Sequence, residues 1–284
     1  MSTLPSGPPP SSAAPVAEPS ARFRDLAAAE WIKVRSLRST PWVIALTTLF
    51  VIGSSAAAAL AGYNSLADSG ASTREPRGFL PFDAYPPAGY MTLMLVAGSI
   101  GALTVVSEYS SGLIRTTTVA VPARGSVVLA KAVVTATLWT VVGMAISTGS
   151  FLISQAILNG QQAGVPITHP GVFRALAASA LLAPVCALTG LGLGVLIRHS
   201  AATVLTGAFT LLMLPTLFSQ SARWSADINH TMVVSAWRRL VQNWEPSPDT
   251  HIFIPTVPGS WIVYALWPLI AVALAVAVVR RRDV

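Results

Sequence analysis

The amino-acid sequence predicts an all-α integral membrane protein with six transmembrane helices. Three observations carry that expectation. Charged residues make up only 10% of the 284, against 53% hydrophobic residues, whereas a soluble domain carries roughly 25% charged residues. Too little charge remains to cover a water-facing surface, which argues against a soluble enzyme. The mean hydropathy is +0.62. Finally, six stretches run apolar for about 20 residues, the length a helix needs to cross bilayer hydrocarbon. The single cysteine, Cys186, excludes an internal disulfide framework and a cysteine-built metal site.

Residues 1–20 form a Pro/Ala/Ser-rich segment with six prolines and no Lys or Arg. A secretory signal needs a basic start and an apolar run, and this stretch has neither. It reads as a disordered, solvated cytoplasmic tail, with a PxxP-type recognition segment as the alternative.

Residues 21–39 read as a basic amphipathic helix. On a helical projection Phe23, Leu26, Ala27, Trp31, Val34 and Leu37 share one face. Arg22, Arg24, Lys33 and Arg35 lie to its sides or behind, and Arg38 follows. Such a helix lies in the headgroup region of a bilayer. Glu30 falls on the apolar face and breaks the pattern; Lys33 stands at helical spacing to pair with it, or it meets a partner protein.

Residues 40–284 hold the spans: Pro41–Gly62, Ala88–Val106, Ser126–Ile157, Val172–Ile197, Ala201–Ser219 and Gly259–Val279. The third is long enough to tilt or to extend into the interface. Only Arg198-His199-Ser200 separates the fourth from the fifth, which fits a tight helical hairpin. Pro184, Pro215 and Pro268 are expected to kink the last three spans, since neighbouring groups in a bundle re-satisfy the carbonyls that proline frees. Gly190 and Gly194 make a GxxxG in the fourth span. It serves close helix packing, within the chain or across a dimer. The outer stretch Thr231–Trp244 reads as helical, with Trp237, Leu240, Val241 and Trp244 at helical spacing, and as an interfacial helix with tryptophan anchors.

Charge orients this plan. With the N-terminus in the cytoplasm, six spans return the C-terminus to the same side. Twelve of the 18 Lys and Arg then face the cytoplasm, and the whole net charge of +7 falls there, as the positive-inside rule expects. The basic balance therefore calls for no nucleic acid. The location is a plasma membrane, multi-pass.

The inner loop Ser107–Lys131 suggests a short amphipathic element held between two spans. Ser107 would cap a helix with Glu108 at its positive end. Gly112 permits a bend or a close approach, and Pro122 ends whatever helix precedes it. By composition alone this is an ordinary basic inner loop.

The run Glu108-Tyr109-Ser110-Ser111-Gly112-Leu113-Ile114-Arg115-Thr116-Thr117, then Pro122-Ala123-Arg124, then Lys131, resembles the corresponding loop of type-2 ATP-binding cassette (ABC) transporter permeases. The segment Glu30-Trp31-Ile32-Lys33-Val34-Arg35-Ser36-Leu37-Arg38-Ser39-Thr40-Pro41-Trp42 resembles that family's lead-in to its first span. The two motifs stand in the family's order, and the six-span plan accounts for about residues 21–284. The resemblance implies that residues 21–39 are a connecting helix, with Glu30, Trp31, Lys33, Arg35 and Arg38 in it. It implies a cytoplasmic coupling helix between spans two and three, and assigns coupling to the ATPase to Glu108, Gly112, Arg115 and Arg124. The Gln220–Pro258 loop corresponds to the family's short outer helices. The implied partners are a cytosolic ABC ATPase and a second permease chain, identical or not, within the lipid bilayer.

The residues themselves supply no ATP chemistry. A P-loop needs Gly directly before its Lys; the two lysines, Lys33 and Lys131, follow Ile32 and Ala130. ATP and Mg are thus expected on a partner subunit, with no cofactor or metal in this chain and no catalytic residue. His169, His199, His230 and His251 fall in loops or at span ends, and none pairs with a serine motif inside the membrane. The Gly53-Ser54-Ser55-Ala56 run suits helix packing better than a buried nucleophile. The spans hold almost no ionisable residues, which argues against a proton-coupled transporter or an ion-selective channel. The expectation is the permease subunit of an ABC exporter. The alternatives are a non-transporting membrane partner of an ATPase, in signalling or resistance, or a membrane scaffold.

Overall fold

The structure is a computed structural model that describes residues 22–36, 38–68, 81–112, 124–243 and 252–281. The described residues form helices and no β-strand. In chain order they are α1 (Phe23–Ser36), α2 (Ser39–Asp68), α3 (Pro81–Ala84), α4 (Pro87–Ser110), α5 (Arg124–Leu158) with a 3-10 turn at Asn159–Gln161, α6 (Val172–Ile197), α7 (Ser200–Ala208), α8 (Arg223–His230), α9 (Val233–Val241) and α10 (Val257–Arg281). After α7 the chain continues as one π turn, Phe209–Met213, and one 3-10 turn, Leu214–Leu217. Six helical stretches are long and apolar enough to cross a membrane: α2, α4, α5, α6, the α7–π–3-10 run and α10. The protein is an all-α, multi-pass membrane protein, with α1 outside the spanning set. The tail at 1–20 and the coupling helix expected after Gly112 lie outside the described residues.

The spans match the six expected segments, mostly with extra turns at their ends. α6 begins and ends where the sequence placed it. α2 grows most, running on to Asp68. α5 is the longest described helix: its 35 residues measure about 50 Å at a rise of about 1.5 Å per residue, well beyond the roughly 30 Å of hydrocarbon. Its first turns therefore stand clear of the apolar slab, and Lys131 sits on them.

α6 is the axis of the bundle. It packs most extensively on α4 and α5, then on α10. Small residues make that possible. A Cβ on Gly101 of α4 would overlap the Ala187 carbonyl of α6, and one on Gly190 of α6 would overlap the Gly98 carbonyl of α4. Gly194 faces Ala102, and Gly192 faces Ala271 of α10. The GxxxG left open above thus packs within the chain. Pro184 withholds the amide that would pair with the Ala180 carbonyl. That oxygen abuts Gly143 of α5, where a Cβ would overlap it. Gly89 meets Ser54 of α2, and Ser54 and Ser55 donate to the Val51 carbonyl. Within the Gly53–Ala56 run, Ser54 and Ser55 are packing surface, while Gly53 is exposed.

The hairpin between the fourth and fifth spans is as tight as expected. Arg198 closes α6 in the left-handed region at φ 60°. His199 is extended and caps α7, its Nδ1 accepting from the Ala202 amide at 3.3 Å. Pro215 does more than kink the fifth span: it sits in the terminal 3-10 turn. The carbonyls loosened there are taken by Asn229 of α8, whose Nδ2 donates to Pro215 at 2.8 Å and Phe218 at 3.0 Å. Its Oδ1 accepts from Ser235 of α9 at 2.7 Å.

One expectation is corrected here. Trp237 of α9 is not an exposed tryptophan anchor. Trp237 is fully buried, stacked on Tyr90 of α4 with ring centroids 5.3 Å apart, and donates from Nε1 to Ser179 of α6. Tyr85 meets Tyr90 edge-on. Arg174 holds α9 down, donating to the Leu240 and Gln242 carbonyls at its C-terminus, where a cation also suits the helix dipole. Trp244 lies outside the described residues.

Candidate functional site

The concentrated charge chemistry of the described residues lies at the end of the bundle where α1 rests. α1 contacts mainly α5, and its inward face is not the apolar stripe of the projection. Leu26, Ala27 and Val34 are half-buried, while Phe23 and Trp31 are exposed; the one fully buried residue of α1 is Glu30. Leu37 lies outside the described residues. The residue that broke the pattern is the centre of the contact.

Four side chains from three helices meet there. Lys131 of α5 donates to Glu30 Oε2 at 2.5 Å and to Glu108 Oε1 at 3.0 Å. Lys33 of α1 donates to Glu30 Oε1 at 2.7 Å and to Glu108 Oε1 at 2.9 Å. Each lysine touches both carboxylates, and the four charges cancel. The inner pair is nearly sealed, Glu30 being 5% and Lys131 8% exposed; Lys33 is 44% exposed and forms the solvent side. A buried ion is tolerated only where a counter-charge and hydrogen bonds replace water, and here every carboxylate has two ammonium partners. Burial alone would lower the Lys33 pKa. Hydrogen bonds to Glu108 and Glu30, with their negative charges, outweigh it and raise the pKa above 10.5.

The sequence expectation for Glu108 is corrected. Ser107 and Glu108 do not start a helix: they lie in the last turn of α4. An anion there faces the negative end of the helix dipole, and the two lysines offset that. Ser107 instead accepts hydrogen bonds at its carbonyl from the Ser110 and Ser111 hydroxyls. Gly112 follows α4 with φ 72°, the left-handed bend that a glycine permits.

The remaining expected residues divide. Arg35 and Arg38 are exposed. Arg124 begins α5, its side chain undescribed. Arg115 lies outside the described residues. Lys131 closes the loop motif, and the resemblance assigns it no role. The signal for it was present: a lone carboxylate on an apolar helix face, a second carboxylate closing one span and a lysine opening the next. The spans are poor in charge at mid-depth, yet Glu108 and Lys131 both lie inside helices, not in a loop.

Beside the cluster, Arg198 rests on the ring of Tyr109, its guanidinium carbon 4.7 Å from the centroid. Among the described residues no group of three or more His, Cys, Asp or Glu could hold a metal ion. Compared with known proteins, the sequence matches no family model and no curated protein.

Proposed function

We propose that the chain is the permease subunit of an ATP-binding cassette exporter, with a separate cytosolic ATPase supplying the energy and a second permease chain completing the pathway. The observation that supports this reading best is the Glu30–Lys33–Glu108–Lys131 cluster. It ties α1 to the end of α4 and the start of α5, the two helices that flank residues 113–123. Those residues carry the resemblance to a coupling helix. A push or pull delivered there by an ATPase would reach α1, α4 and α5 together, because the four charges cannot separate without leaving a carboxylate or an ammonium unpaired in a water-poor site. α4 and α5 both pack on α6, so the displacement would pass into the core of the bundle. The positive-inside balance supports a cytoplasmic position for this end and for both termini, and the proposed location is the plasma membrane.

The test is a mild-detergent pull-down of the tagged chain from its native membrane, with mass spectrometry of stoichiometric partners. An ATPase with a Walker A motif at about one copy per permease is expected. Arg115→Glu and Arg124→Glu should then abolish stimulation of that ATPase without removing the permease from the membrane. Reproducible absence of any ATPase from intact, folded protein would favour the scaffold reading instead.

A further inference from the structure

We infer that the ends of α6 and α10 form a binding site for the phosphodiester headgroup of an anionic phospholipid. The inference needs only the membrane-spanning fold and does not rest on the proposed transport function. It begins with Arg198. The residue holds a left-handed backbone conformation at φ 60°, uncommon for a side chain of this size. Its guanidinium carbon lies over the Tyr109 ring, and its Nε and Nη2 are buried without a hydrogen-bond partner. A guanidinium is always charged, and buried polar atoms of native proteins normally have partners.

Among the described residues nothing nearby supplies the missing anion. The described carboxylates at this end are Asp25, Glu30 and Glu108. Both glutamates are held by Lys33 and Lys131, and Asp25 lies 3.7 Å from Arg24. Arg280 lacks a described carboxylate partner too. Its side chain lies across Gly125, so near that a Cβ there would stand 2.7 Å from Nε. Gly125 is in the first turn of α5, whose amide end is itself positive. Arg198 and Arg280 flank one small apolar cluster, in which Val195 and Val279 pack with Val105 and Val128 against Tyr109. Two guanidinium groups and a helix N-terminus thus lie around one apolar cluster where two spans end, the depth of lipid phosphates. Guanidinium edges suit a phosphate with two parallel hydrogen bonds. The source is a lipid, not a soluble phosphate, because the adjoining surface is the exposed apolar face of α10, with Leu269, Ile270 and Leu274 placed to meet acyl chains.

The experiment measures thermal unfolding of the purified full chain in detergent micelles titrated with phosphatidylglycerol, phosphatidylcholine or inorganic phosphate. Native mass spectrometry counts the retained lipid. Phosphatidylglycerol is expected to raise the midpoint saturably and to be retained, and phosphatidylcholine to do neither. Arg198→Gln with Arg280→Gln should weaken that response about tenfold or more, through loss of charge-assisted hydrogen bonds. Arg22→Gln with Arg24→Gln, on exposed α1, should leave it unchanged. If the double variant does not fold, Arg198→Lys keeps the charge without the fork and should weaken phosphatidylglycerol retention. Equal responses to the two lipids, a wild-type response in the Arg198 variants, or equal stabilisation by inorganic phosphate would each overturn the assignment.

Discussion

Glu30 and Lys131 illustrate how a buried ion pair constrains a helix. Removing one partner strands a charge where water is scarce, at a cost of about 3–5 kcal/mol, whereas removing both with apolar replacements can be near neutral. Lys131→Met should therefore destabilise the protein by about 3 kcal/mol. Glu30→Leu combined with Lys131→Met should destabilise it less, because Lys33 and Glu108, 2.9 Å apart, remain as a neutral pair. A double-mutant cycle by denaturant unfolding in micelles reads this; additive losses would show that the two side chains do not act together. The pH dependence follows from Lys33. Its pKa is raised above 10.5, so its contribution is fully present below 10.5 and is lost as pH climbs through the higher folded value. Spin-label distances between α1 and α5 should stay constant through neutral and mildly alkaline pH and lengthen only above 10.5. Release of α1 near neutrality would refute the assignment.

Among the elements, the α4–α6 pair depends on the absence of side chains. Gly101→Ala and Gly190→Ala each drive a methyl into a facing carbonyl, and overpacking of this kind costs about 1–3 kcal/mol. Gly53→Ala meets nothing within 4 Å and gains helix propensity of about 0.5–1 kcal/mol. Thermal unfolding should therefore fall for the first two and hold or rise for the third. The fifth span ends through a different device. Its π and 3-10 turns give up regular hydrogen bonding, and Asn229 supplies two of the donors that the last turns lack. Periodicity located that span well but carries no trace of the change in helix type, because π, α and 3-10 turns share the same apolar composition.

At the scale of the whole molecule, six crossings would leave α1 and the end of α10 on one side of the membrane. Cys186 is buried and leaves no background for an impermeant maleimide. Ser36→Cys and Arg281→Cys should label from one side, and Thr231→Cys from the other. Labelling of the first two from opposite sides would remove a span from the fold.

Composition and apolar run length determined the class, the number of spans and most of their boundaries. Burial of an uncharged stretch of about 20 residues in hydrocarbon is a local property, so it is written in consecutive residues. The tight turn at Arg198-His199 was legible for the same reason. The charge cluster was not. Glu30, Lys33, Glu108 and Lys131 are spread over a hundred positions, and pairing between helices depends on which faces meet. On a helical projection Glu30 looks like a flaw; against Lys131 it is the contact. Trp237 misled in the same way, since an amphipathic helix with a tryptophan reads as interfacial until a neighbour covers it. Glu108 changed role because α4 runs one turn further than its apolar stretch. Sequence decided which segments enter the membrane, since each must satisfy its own backbone there. Only the tertiary structure decided which charges cancel and which guanidinium groups are left over, since that depends on distances between helices that no single segment contains.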